Sequence, residues 1–171
     1  MIPIRPLTRE DATAFRTLRL EGLAEAPEAF SAAYDDEILR SDEEFAGRIP
    51  EAPPSAIFGA FDGETLVAMT GFLVHAGRKE RHKGMIWGVY VQPAARGRGL
   101  AKRLMQTVID QARTVEGLEI LQLGVGVYNA PARALYGAMG FEVYGVERHA
   151  LKLADGRHID EELRVLELGS A

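Results

Sequence analysis

The chain has no cysteine. That excludes disulfides, thiolate metal sites and a cysteine nucleophile, and it fits a reducing compartment. No apolar run approaches the ~20 residues of a membrane span, and Met1-Ile2-Pro3-Ile4-Arg5 lacks the apolar core of a secretory leader. A soluble, cytoplasmic protein without a membrane partner is expected. Net positive charge is lacking too: a formal charge of -5 argues against a general nucleic-acid binder, whose affinity rests on clustered Lys and Arg. There is no P-loop lysine and no cluster suited to a magnesium ion, so no metal is expected.

The charges that are present are segregated. Positive charge gathers at Arg96, Arg98, Lys102 and Arg103, and acidic residues at Asp35-Asp36-Glu37 and Asp42-Glu43-Glu44. Acidic runs of this kind form solvated helix faces or, functionally, a rim that attracts cationic amines. With 171 residues, 47% hydrophobic and 26% charged, the chain can bury a substantial core as one domain spanning 1–171.

Residues 2–6 read as a short strand, and Thr8 with Asp11 as a capping box opening a helix to about Leu23. Phe15, Leu18 and Leu23 form its buried face. Pro27-Glu28-Ala29-Phe30 breaks it; a second helix covers the acidic stretch to about Ile38, and Ser41 opens a third. Pro50, Pro53 and Pro54 mark an exposed connection. Residues 56–61 and 65–75 read as strands joined at Asp62-Gly63, a hairpin signal. A polar loop, 77–83, precedes a central strand over 85–91. A long helix follows over 99–115, with Leu100, Leu104, Val108, Ala112 and Val115 at helical spacing. A strand over 119–125, a short helix over 130–139, and strands over 141–153 and 158–168 paired across Asp155-Gly156 complete the chain.

The segment Val89-Tyr90-Val91-Gln92-Pro93-Ala94-Ala95-Arg96-Gly97-Arg98-Gly99-Leu100-Ala101 runs from a strand through a glycine turn into a helix. Gly97 and Gly99 allow positive φ and close approach of a ligand, while the free N–H groups of the new helix point into the same space. Phosphate or pyrophosphate is the ligand such a turn suits. Gly99 is followed by Leu100-Ala101 rather than Lys-Ser or Lys-Thr, which rules out a P-loop. The mid-chain position and the missing third small residue rule out a dinucleotide fingerprint.

Arg96, Gly99 and Ala101 spell Arg-x-x-Gly-x-Ala. This resembles the pyrophosphate signature of the GNAT superfamily of acyl-CoA-dependent N-acyltransferases. Downstream, Tyr128-Asn129-Ala130-Pro131-Ala132-Arg133-Ala134-Leu135-Tyr136-Gly137-Ala138-Met139-Gly140-Phe141 resembles the second GNAT signature: Asn, a helix with a Tyr, then Gly-Phe. Asn129 is a good N-cap, Pro131 suits a first helical turn, and Gly140 supplies the stop. Tyr136, seven residues after Asn129, returns close to the capped side.

The resemblance implies an α/β (α+β) fold with a mixed, highly twisted sheet, splayed in the middle and flanked by helices. It implies acetyl-CoA as cosubstrate: Arg96, Gly97, Arg98, Gly99, Leu100 and Ala101 at the pyrophosphate, Val89, Tyr90 and Val91 along the pantetheine arm, and Asn129 and Ala132 beside it. Tyr136 would protonate the departing thiolate. Bulged N–H groups among Val89, Tyr90 and Val91 would stabilise the oxyanion. The acceptor would be a small-molecule amine or a peptide or protein amine, met by Glu28, Phe30, Tyr34, His75 and Trp87, with Arg78 and His158 nearby and Asp160, Glu161 and Glu162 ahead of the final strand. Many GNATs carry a Glu eleven residues before the motif's first residue; here that position is Met85, so His75, Glu28, His82 or a water relay replaces it. The resemblance further implies a homodimer through the final hairpin, where Leu163, Val165, Leu166 and Leu168 would make a poor exposed edge. An acyl-CoA sensor without turnover is the alternative reading, favoured by the missing strand carboxylate and opposed by Tyr136. A nucleotide-binding protein is a third.

Overall fold

A computed structural model describes residues 2–169. Thr8 and Asp11 form the capping box, the Thr8 amide donating to the Asp11 carboxylate at 2.8 Å. Arg5, from strand β1 (Ile4–Pro6), grips the same carboxylate at 2.7 and 2.8 Å. A 3₁₀ turn at Arg9–Asp11 leads into α1 (Ala12–Glu25), which buries Phe15, Leu18 and Leu23. The acidic stretch is less helical than its composition suggests: α2 (Tyr34–Glu37) is a single turn, and Ser41 caps a separate α3 (Asp42–Ala46). Arg16 explains the interruption. Its guanidinium donates to the Ile38 and Arg40 carbonyls, both at 2.9 Å, turning away acceptors that a continuing helix would use.

The remaining elements are β2 (Ala56–Asp62), β3 (Thr65–Val74), β4 (Lys83–Val91), α4 (Leu100–Arg113), β5 (Ile120–Gly126), α5 (Ala130–Ala138), β6 (Glu142–Lys152) and β7 (His158–Glu167). The strands form one sheet in the order β1-β2-β3-β4-β5-β7-β6. Every pairing is antiparallel except β4 with β5, whose parallel alignment requires the crossover that α4 supplies. The apolar final strand β7 is therefore interior, between β5 and β6, and β6 is the edge. The apolar strand of the final hairpin is thus covered within the sheet itself, and the hairpin's free edge is β6. The apolar side chains exposed on the edge are Val143, Tyr144 and Val146.

Strand alternation splits the core between the two faces of the sheet. Ile57 joins Phe15, Leu18, Leu23 and Phe45 beneath α1 and α3. Its neighbour Phe58 joins Leu104, Met105, Val108 and Tyr136 beneath α4 and α5. Both layers press on the central strands, so divergence of those strands opens the sheet between two packed supports.

Candidate active site

β4 and β5 pair only from Lys83↔Ile120 to Met85↔Gln122. Beyond that, β4 stays with β3 as far as Val91↔Ala68, and β5 stays with β7 as far as Gly126↔Glu161. The strands fork, and a cavity of about 810 Å³ occupies the opening. A register shift sets Gly88 and Val89 of β4 opposite the single residue Thr70 of β3, with Gly88 at φ 62°. That is a β-bulge at the lip of the fork, where ladder hydrogen bonding is interrupted and main-chain groups become available to a ligand.

The glycine turn closes one end. Gly97 and Gly99 take φ of 76° and 72°, and a Cβ built on either would meet nothing within 4 Å. Gly99 is the N-cap of α4 and has no side-chain cap. The first N–H groups of a helix of this length therefore face open space beside the cavity, with the positive end of the helix dipole behind them. Arg96, Gly97, Gly99, Leu100, Ala101 and Lys102 all line the cavity. Arg98 does not; it turns outward to Asp62 at 2.8 Å. Arg96 serves a second purpose, since its terminal nitrogens hold Glu25 and its Nε donates to the Val91 carbonyl.

α5 forms the wall beyond β5. The Asn129 side chain accepts from the Ala132 amide at 3.2 Å, capping the helix, and both residues line the cavity. Tyr136 lines it as well, 7% exposed and edge-on to Phe141. Burial pushes its phenol up to about 12 despite the nearby Arg164, with no hydrogen bond contributing. The hydroxyl thus stays protonated throughout the neutral range.

Part of the lining is acidic. Glu28 and Glu161 line the cavity there with Tyr128, whose phenol is pushed up to about 12 by burial first and then by the charges of Glu28 and Glu161. Phe30 and Trp87 line it too, and the Tyr90 side chain lies beneath α1, donating to Glu21 at 3.3 Å. Tyr34 and His75 are outside the lining, as are Met85 and His82. Asp160, Glu161 and Glu162 lie within β7 rather than ahead of it. Strand alternation separates them: Glu161 faces the cavity, while Glu162 is buried on Arg133 and Arg164. His158 stacks on His149 at 4.3 Å. Within the acidic runs at 35–37 and 42–44, Glu37 is buried on Arg19 and Arg48, Glu43 pairs with Arg9, and Glu44 completes the Ser41 cap, while Asp35 and Asp36 are exposed and outside the cavity lining. The acidic rim comes instead from Glu28 and Glu161.

The sequence marks Gly124, Gly126 and Tyr128 only weakly, and Glu161 only as one of three consecutive acids. The available signal was a pair of glycines inside a strand, which marks a close approach. Arg19 gave none. It is 5% exposed, its Nε on Glu37 at 2.9 Å and its guanidinium near the Trp87 and Phe30 rings, with Nη1 unpartnered. Among the described residues, no group of three or more His, Asp or Glu side chains could hold a metal ion, and no helix is long and apolar enough to cross a membrane.

The family model described as "Acetyltransferase (GNAT) family" matches residues 16–141. N-alpha-acetyltransferase RimI of Mycobacterium tuberculosis is 31% identical over 103 residues, 60% of this chain and 62% of that protein. The match thus spans about three fifths of that relative's length. IAA acetyltransferase of Azospirillum brasilense is 43% identical over 58 residues, 34% of this chain and 37% of that protein. Among solved structures, an acetyltransferase of the GNAT family from Streptococcus pneumoniae superposes with a TM-score of 0.86 at 22% identity, covering 99% of this chain and 100% of that one. A protein named yncA from Salmonella typhimurium, solved with its cofactor acetyl-CoA, superposes at 0.80 and 20% identity, covering 100% and 96%.

Proposed function

The chain belongs to the acetyltransferase (GNAT) family, and from that premise we propose that it transfers the acetyl group of acetyl-CoA to a primary amine by direct attack in a ternary complex. The observation that carries this reading is the meeting of three features in one cavity: the uncapped glycine turn before α4, the bulged lip of β4, and the buried hydroxyl-bearing Tyr136. RimI of Mycobacterium tuberculosis, 31% identical over 103 residues, is named as an N-alpha-acetyltransferase, which supports nitrogen as the acceptor atom.

The residues present fit the cosubstrate. The turn at Gly97 and Gly99 leaves space where any other residue would place a side chain, so the amides from Gly97 to Ala101 can hold a pyrophosphate. Main-chain groups of Val89, Tyr90 and Val91, on the β4 edge that has left β5, can hold an extended arm as an added strand would. Asn129 and Ala132 flank its other side. Acetyl-CoA when bound supplies an acyl group activated as a thioester. The bulge at Gly88 and Val89 offers N–H donors where oxyanion charge builds. Tyr136, a phenol that burial keeps protonated well beyond the neutral range, donates a hydrogen bond where charge develops on the leaving sulfur. A purely sensory module would have no use for that donor.

Folding as one domain over 1–171 and residence in the cytoplasm are part of the same proposal. So is a homodimer through edge strand β6, supported by the exposed Val143, Tyr144 and Val146. Calorimetric titration with acetyl-CoA, CoA and ATP, followed by an amine panel with thiol release as the readout, tests the reaction. Tight binding of the CoA species with amine-dependent thiol release is expected, and absence of CoA binding overturns the reading.

A further inference from the structure

Two glycines of β5 make room for polar side chains at the acidic part of the cavity. A Cβ on Gly124 would stand 2.8 Å from Glu161 Oε2, and one on Gly126 would stand 2.3 Å from the Tyr128 ring. Glycine weakens a strand interior, so its use twice in Gly124-Val125-Gly126 reflects the close approach of Glu161 and Tyr128. Glu161 reaches this place from β7, opposite Gly126, and Glu28 from the 3₁₀ turn at Pro27–Ala29. The adjacent Glu162 is spent on two arginines, whereas Glu161 forms no ion pair among the described residues. A half-buried, unneutralised carboxylate on a rigid strand, lining the same cavity as Tyr136, has the placement of a group that handles a cation or a proton.

We propose, on the premise that the protein is an acyltransferase, that Glu161 is the proton acceptor for the attacking amine and that Glu161 and Glu28 together select an acceptor arriving as an ammonium ion. An alkyl ammonium, with a pKa near ~10, must lose a proton before it can attack. Glu161 takes one proton from the ammonium and passes it to solvent. The freed lone pair forms the C–N bond to the thioester carbonyl carbon and the C–S bond breaks. The second proton leaving nitrogen balances the one gained by sulfur, so amine and thioester become amide and thiol with one proton released.

The other candidates are less well placed. Met85 carries no base and lies outside the cavity lining, as do His75 and His82. Glu28 lines the cavity from a turn and suits an anchoring role. Charged and titratable groups face Glu161 from the neighbouring elements: Glu147 of β6 is its direct cross-strand partner, Tyr128 follows β5, and Glu28 lies near both Tyr128 and Arg157 of the last hairpin. Burial, then the Glu147 charge, push the Glu161 carboxyl above the usual range. A raised carboxylate is the stronger base, because catalytic efficiency improves as the base approaches working pH.

The test compares the parent protein with Glu161→Gln and Glu28→Gln, using n-butylamine, 1,4-diaminobutane, L-alanine and an alanine-initiated peptide as acceptors. Acetyl-CoA affinity is expected to stay within about threefold in both variants, since neither residue is at the glycine turn. E161Q should lose about a hundredfold in turnover near pH ~7, narrowing to less than about tenfold near pH ~9.5, where more of the amine is already neutral. E28Q should raise the amine KM and keep the parent pH profile. A rate equal to the parent's at neutral pH, or an equal loss at both pH values, overturns the role of Glu161. If the parent binds acetyl-CoA yet releases no thiol with any amine, the transferase premise fails by itself. The ammonium site is then judged by the ¹³C carboxylate resonance missing from E161Q: movement on adding 1,4-diaminobutane to the CoA-loaded protein upholds the site, and no movement overturns it.

Discussion

Arg96 holds Glu25 through both terminal guanidinium nitrogens, at 3.0 and 2.6 Å, and gives its Nε to the Val91 carbonyl at 3.0 Å. The first residue of the glycine-turn motif is therefore a strut between the end of α1 and the end of β4, and Glu25 already neutralises much of its charge. The Arg96 hydrogen bonds hold the Glu25 carboxyl below its usual range, against the cost of partial burial. Replacing Arg96 with Ala should weaken acetyl-CoA binding by about tenfold, through loss of turn geometry, and lower stability by roughly 1 kcal/mol or less, because the pair is half exposed. Glu25→Gln should change affinity by less than about threefold. Calorimetry on both variants checks the strut: if R96A binds as the parent does, the side chain is dispensable and the main chain alone shapes the turn.

Tyr136 lies in the cavity with its phenol pushed up to about 12 by burial. A phenol so weakly acidic is a persistent hydrogen-bond donor rather than a group that titrates near neutrality, and no alkaline decline in rate should arise from it below pH ~10. Tyr136→Phe removes only the hydroxyl and keeps the packing on Phe141. Turnover should fall by about a hundredfold while acetyl-CoA affinity stays within about threefold, the pattern of an interaction made chiefly in the transition state. Parallel pH profiles of parent and variant provide the check. Equal turnover across pH would pass the proton to water or to another group.

How far the site is legible in the sequence depends on whether its determinants are local. The turn at Gly97 and Gly99 and the Asn129-capped helix carrying Tyr136 are legible because backbone conformation and capping act over a few residues. The fork between β4 and β5 is not: it arises where the two strands keep different neighbours, β3 and β7, and no local pattern encodes that divergence. Glu161 lies beyond the same horizon. In sequence it is one acid among Asp160, Glu161 and Glu162, and only the pairing of β7 with β5 decides which faces the cavity. The Arg98 side chain shows the converse: a basic cluster in sequence places its charge beside the turn, whereas Asp62 at the end of β2 draws the guanidinium away and leaves only the Arg98 main chain in the turn.

Gly126 offers a way to disturb the acceptor end alone. A Cβ there would lie 2.3 Å from Tyr128 Cε1, a distance that obliges the ring to move. Tyr128 is 45% exposed, so it can swing outward without disrupting the core. Gly126→Ala should therefore cost little stability, about 1 kcal/mol or less, and leave acetyl-CoA affinity unchanged while altering the amine KM several-fold. Thermal melts, calorimetry and steady-state kinetics separate these effects. An unchanged amine KM would show that Tyr128 does not shape the acceptor end.

Gly99 allows the anion site to be separated from the fold that carries it. Its φ of 72° is costly for any residue with a Cβ, by roughly 1–2 kcal/mol, yet a Cβ would meet nothing within 4 Å. Gly99→Ala should pay that strain alone, lowering the melting temperature by a few degrees and acetyl-CoA affinity only several-fold. Gly99→Glu should pay a similar strain, partly offset because an acid at a helix N-terminus is favourable. Its carboxylate would nevertheless compete for the amides that a pyrophosphate needs and repel the ligand, so affinity should fall by at least about a hundredfold, roughly 3 kcal/mol. The contrast between the variants matters more than either value. Similar stability with widely different affinity identifies the start of α4 as the anion site, whereas equal affinities would move that site elsewhere in the cavity.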